Sequence, residues 1–160
     1  MWFAVCRGAP EVKMEIRQLT IPDEIKRAQR LVWQTFLEFE APEYSQEGID
    51  EFKRYNDDEE NFRAFMIQGA FINDKLVGVL ALKDDGKHVS LFFVDKTYHR
   101  QGIGKRLFEF ALKYNRAGVI TVNSSPYAVG FYEKLGFVKT DDERVKNGIR
   151  FTPMSLEVLR

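Results

Sequence analysis

The chain has 160 residues, 44% of them hydrophobic and 30% charged, the length and balance of one domain that buries a core. Its 24 basic and 24 acidic residues cancel, which argues against a generally basic nucleic-acid binder. One cysteine, Cys6, and two histidines, His88 and His99, exclude an internal disulfide framework and an all-Cys zinc site, so no metal is expected.

Residues 1–13 begin with five apolar residues, Trp2 to Cys6, and no basic stretch precedes them. That is shorter than the ~7-residue core of a secretory signal, and no run nears the ~18 apolar residues of a membrane span. The expected placement is cytoplasmic and off the membrane, with an N-terminal extension over 1–13 and a single domain over 14–160. Met14–Leu19 alternates apolar and polar, as a strand does. Pro22, followed by Asp23 and Glu24, marks a helix start, and Ile25, Ala28, Val32, Phe36 and Phe39 repeat at helical spacing up to a stop before Pro42. Ser45 caps a second helix carrying Ile49, Phe52 and Tyr55.

Phe65–Ile72 and Leu76–Leu82 read as strands joined by Asn73-Asp74-Lys75, a hairpin turn; Asp84-Asp85-Gly86-Lys87 leads into a third strand, His88–Val94. Gly102 to Asn115 is an amphipathic helix. Val119–Val122 is a short strand, Pro126–Leu135 a helix ended by Gly136, and Phe137–Lys139 and Ile149–Val158 close the sheet around a turn at Asn147-Gly148. The pattern is mixed α/β. Charge is unevenly spread: ten acids lie between Glu38 and Glu60, and six bases between Lys96 and Arg116. These segments would suit a cationic and an anionic ligand respectively, or simply two solvated helix faces.

Gly102-Ile103-Gly104-Lys105-Arg106 follows the strand Leu91-Phe92-Phe93-Val94 at a helix start. Amides of a first helical turn have no partner within the helix and sit at its positive end, a combination that binds phosphate groups. The turn is neither a dinucleotide fingerprint, since Leu107 stands where a third glycine belongs, nor a nucleoside-triphosphate loop, since His99 and Arg106 break that pattern.

His99-Arg100-Gln101-Gly102-Ile103-Gly104, followed by Ala128, Phe131-Tyr132 and Leu135-Gly136-Phe137, resembles the GNAT superfamily of acetyl-coenzyme A-dependent N-acetyltransferases. His99 stands where that family usually has Arg or Gln. The resemblance implies the GNAT fold: a twisted, mostly antiparallel sheet of about seven strands flanked by about four helices. It implies acetyl-CoA as cosubstrate, held by Phe92, Phe93, Val94, His99, Arg100, Gln101, Gly102, Ile103, Gly104, Lys105, Asn123 and Tyr132. In the family the fourth strand splays from the fifth, leaving backbone groups for the pantetheine arm. A backbone N–H near Val94 is the implied oxyanion donor.

Tyr132 matches the tyrosine that protonates the leaving sulfur; with an ordinary pKa near ~10 it stays protonated at neutral pH. Glu38, Glu40 and His88 are candidate general bases for the acceptor amine. The implied reaction is direct attack by a primary amine of a small molecule or peptide in a ternary complex. The alternative is a non-catalytic acyl-CoA sensor, to which a retained Tyr132 is of no use. Family members are commonly homodimers.

Overall fold

The computed structural model describes residues 13–159, so the expected extension lies, apart from Lys13, outside the described residues. β1 (Met14–Gln18), β2 (Met66–Ile72), β3 (Lys75–Lys83) and β4 (His88–Val94) pair antiparallel in that order. Asn73 and Asp74 both take positive φ, 48° and 68°, the backbone that a two-residue hairpin needs and that these side chains tolerate. β5 (Val119–Ser124) lies parallel to β4, and β8 (Ile149–Glu157) runs antiparallel to β5. β6 (Val138–Lys139) and β7 (Arg144–Lys146) both pair with β8.

Helices cover both faces of this sheet. α1 (Pro22–Phe39), α2 (Gln46–Asp57) and α3 (Glu59–Ala64) lie on one face, where Val32, Phe36, Phe62, Ile67 and Val79 are buried together. α4 (Ile103–Leu112) and α5 (Val129–Lys134) lie on the other, over Leu80, Leu107, Ile120, Phe137 and Met154. This is the expected mixed α/β architecture, with eight strands and five helices among the described residues. None of these helices is long and apolar enough to cross a membrane.

Two elements have too little periodicity to be read from sequence. α3 is six residues long, held by the Asp58 carboxylate accepting from Glu60 N–H (2.9 Å) and by burial of Phe62. β7 consists of three exposed residues that pair only because the Asn147-Gly148 turn folds them onto β8. The expected helix over 126–135 divides into a 3-10 turn at Pro126–Ala128 and α5.

One break in the sheet positions the site. β4 and β5 are in register only at His88↔Thr121 and Val89↔Val122. Beyond that point they diverge.

Candidate active site

Backbone alternation fixes what the divergence exposes. Asp95 N–H donates to the Val77 carbonyl of β3 (2.7 Å), while Val94 lies opposite Gly78 and Phe92 opposite Leu80. In an antiparallel pair the inward and outward amides alternate, so the N–H and C=O groups of Phe92 and Val94 point away from β3 into the gap. The edge that opens here is the kind to which an extended amide-bearing chain adds as a strand.

Val94's carbonyl is already engaged. His99 Nε2 lies 2.6 Å from it; a carbonyl only accepts, so the ring donates and carries its proton on Nε2. The same ring packs on Phe39 at 4.9 Å between centroids. His99, one of the residues expected to hold the cosubstrate, is thus engaged through Nε2 by its own protein. The ring pins the loop to the end of β4.

The loop then turns into α4. Arg100 and Gly102 have φ of 64° and 75°, and Gly102 is the residue for which that geometry carries no steric penalty. Gly104 serves a different purpose: a Cβ there would lie 3.1 Å from the Phe131 ring. The first amide satisfied by the helix is that of Arg106, bonded to the Gly102 carbonyl (3.1 Å), so those of Ile103, Gly104 and Lys105 face outward. Ile103's side chain is buried in the core, leaving only its backbone for a ligand, whereas Arg100 and Lys105 are exposed. The Gln101 carboxamide donates to the Thr97 carbonyl (3.4 Å).

A cavity of about 470 Å³ begins where β4 and β5 part. Phe92, Phe93 and Asn123 line its strand walls, and Tyr132, Ser125 and Glu40 another side. Val94 lies outside the lining. Phe92, whose amide faces the gap, is within it. Tyr132 is 5% exposed and packed edge-on against Phe92 (6.1 Å) and Phe137 (5.3 Å). Burial pushes its pKa above the ordinary phenol range, and the nearby Glu40 carboxylate adds to the rise.

Glu40 is the C-cap of α1, and its Oε1 accepts from the Ser125 hydroxyl at 3.0 Å. Loss of hydration raises its pKa to about 7, the Ser125 bond opposing and Glu43 reinforcing the rise. Glu38, the other carboxylate candidate, is outside this lining: its carboxylate pairs with Lys96 (2.9 Å) on the surface. His88 does line the cavity. The Thr121 hydroxyl lies 3.3 Å from the Lys87 carbonyl, to which it donates, so at 2.7 Å it accepts from His88 Nδ1–H. Burial, aided by Lys83, lowers this imidazole to about 4. It is a neutral ring with Nε2 unprotonated.

Ser125 is a lining residue that sequence reasoning did not name. Ser125 stands within the quoted second motif, but nothing in its spacing links it to a carboxylate 85 positions away. Among the described residues no group of three His, Cys, Asp or Glu is placed to hold a metal.

An open strand edge thus leads to outward amides at a helix start, with a buried phenol beside it. Residues 40–158 match the family model for the acetyltransferase (GNAT) domain, and the chain belongs to that family. It is 40% identical over 73 residues to the peptidyl-lysine N-acetyltransferase YjaB of Salmonella typhimurium, covering 45% of this chain and 49% of that protein. It is 27% identical over 103 residues to N-alpha-acetyltransferase 30 of Dictyostelium discoideum, covering 57% and 53%. The chain thus spans about half the length of the curated relatives it matches.

Solved structures agree on the fold. A GCN5-related N-acetyltransferase from Rhodopseudomonas palustris superposes with a TM-score of 0.76 at 23% identity, over 89% of this chain and 94% of the other. The PaiA N-acetyltransferase from Thermoplasma acidophilum, solved with coenzyme A, gives 0.73 at 23% identity, over 91% and 99%.

Proposed function

We propose that this protein transfers the acetyl group of acetyl-CoA to a primary amine by direct attack within a ternary complex. The observation that carries this reading is the meeting of the open β4 edge with Tyr132 and Glu40 around one cavity. The coenzyme A complex of a structure with the same fold supports the choice of cosubstrate. Phe92 and Val94 would hold the pantetheine arm along the strand, with Asn123 facing it from β5. The outward amides of Ile103, Gly104 and Lys105, beside the charges of Arg100 and Lys105, would hold the pyrophosphate.

Acetyl-CoA supplies a thioester whose carbonyl carbon an amine nitrogen attacks, breaking the bond to sulfur. Glu40, with a carboxyl at about 7, is ionised in a useful fraction at neutral pH and takes the proton the amine sheds. The Phe92 N–H meets the negative charge that grows on the carbonyl oxygen. Tyr132, held protonated by burial, gives its hydrogen to the departing sulfur. Return of a proton from Glu40 to Tyr132 resets the pair. His88 is the second base in reach, its Nε2 free and its ring neutral above about pH 4.

Two measurements test the proposal together. Saturating acetyl-CoA should raise the melting temperature, since a ligand bound only by the folded state stabilises it, and a broad amine panel should release free thiol. Stabilisation without thiol release from any amine would favour the sensor; no stabilisation would remove both readings.

A further inference from the structure

We infer, building on the acetyl-transfer reading, that the acceptor is a small free amine and not an amine on a polypeptide. The warrant is a clasp across the acceptor side of the cavity. Gly48, in the first turn of α2, and Gly148, in the turn between β7 and β8, touch backbone to backbone. A methyl group at Gly48 would overlap the Gly148 carbonyl oxygen, and one at Gly148 would overlap the Gly48 amide nitrogen. Gly148 also sits at φ 77°, so both the close approach and the turn require glycine.

Two hydrogen bonds cross this contact, and a third braces Arg150 from its own hairpin. The Tyr44 hydroxyl donates to the Arg150 carbonyl (3.1 Å), and Arg150 Nη1 donates to the Glu43 carbonyl (3.2 Å). Arg150 also reaches the Glu143 carboxylate through Nη2 (3.2 Å). The segment joining α1 to α2 is therefore tied to β8, 106 positions away at the Tyr44 bond.

The clasp is itself a cavity wall: Tyr44, Asn147, Ile149 and Arg150 all line the space. An extended polypeptide presenting a lysine amine needs a trough open at both ends, because its backbone continues on either side of the reacting residue. One presenting its N-terminus needs a trough open at one end. The joined segments close the side of the cavity on which Tyr44, Asn147, Ile149 and Arg150 stand. The cavity of about 470 Å³ is shared with the pantetheine arm along Phe92 and Asn123, so the space left for the acceptor is that of a small molecule. Phe52, Tyr55, Phe93 and Phe151 give it an aromatic wall, and Glu40 an acidic end, which together suit a primary amine on a compact apolar body. YjaB is named a peptidyl-lysine N-acetyltransferase; the acceptor inferred here differs from that.

The test compares kcat/KM, by thiol release from acetyl-CoA, for a panel of small free amines and for peptides bearing lysine side chains or free N-termini. The best small amine should exceed the best peptide by at least ~10-fold in the unmodified protein. Gly48→Ala, which favours the helix while prying at the clasp, should narrow that ratio several-fold, as should Tyr44→Phe. A peptide equal to or better than every small amine would overturn the inference while leaving acetyl transfer intact. An unchanged ratio in both variants would overturn the clasp as its cause. Thermal stabilisation by acetyl-CoA without turnover on either class would instead remove the transfer reading, and this inference with it.

Discussion

Ser125 donates its hydroxyl hydrogen to Glu40 Oε1 at 3.0 Å, joining the loop after β5 to the last turn of α1. Such a bond favours the charged carboxylate and alone would lower its pKa. Burial outweighs it, and the carboxyl settles at about 7. Ser125 thus keeps Glu40 in one orientation while its surroundings keep it basic enough to accept a proton near neutrality.

This balance predicts the pH profile. The kcat/KM for the amine should rise through a limb near pH 7 as Glu40 ionises. Glu40→Gln should lose ~10²-fold in rate or more and abolish that limb. His88→Asn should retain the limb, because the His88 imidazole titrates near 4. A limb that survives in Glu40→Gln and vanishes in His88→Asn would transfer the base role to His88.

Stability should carry the same signature with the opposite sense. The folded carboxyl keeps its proton to about pH 7, whereas unfolded it releases near the ordinary value of 4.5. Between these values the native state binds more protons, so this group's contribution falls as pH rises from about 4.5 to about 7 and stays low above it. The loss is at most about 3 kcal/mol, lessened by the solvent that reaches Glu40. Glu40→Gln should match the unmodified protein near pH 4 and exceed it in stability near pH 8, in denaturant titrations at the two pH values.

Tyr132→Phe tests proton donation directly. The ring packs on Phe92 and Phe137, and removal of the hydroxyl preserves those contacts. Turnover should fall by ~10²-fold with little change in the Kd for acetyl-CoA. Unchanged turnover would end the general-acid role.

The His99 ring should prove to be a brace. Loss of its bond to the Val94 carbonyl in His99→Ala should cost about 1 kcal/mol, seen as a Tm lower by roughly 2–4 °C. It should also weaken acetyl-CoA binding by loosening the loop that carries Gly102 and Gly104. His99→Gln, which offers an amide N–H in the same direction, should recover much of both. Equal losses in the two variants would leave the hydrogen bond without a role and assign the effect to the ring's contact with Phe39.

Much of this was legible in the residues themselves. Pro22 at a helix start, Asn73-Asp74 at a hairpin, and Gly102 at the entry to α4 each fix local backbone through their own covalent geometry, so chain order revealed them. The paired motifs from His99 to Gly104 and from Ala128 to Phe137 pointed to the family for the same reason: their chemistry is contained in short segments. Tertiary packing decided the rest. Glu38 and Glu40 are two residues apart at a helix end, roughly 200° around its axis, and only the docking of α1 against β3 and β4 decided that Glu40 enters the cavity while Glu38 meets Lys96. The outward Phe92 amide depends on its register with Leu80, and the clasp on Gly48 meeting Gly148. Burial and distance belong to the folded surroundings, so residues far apart in sequence acquire their chemistry only when the chain closes on itself.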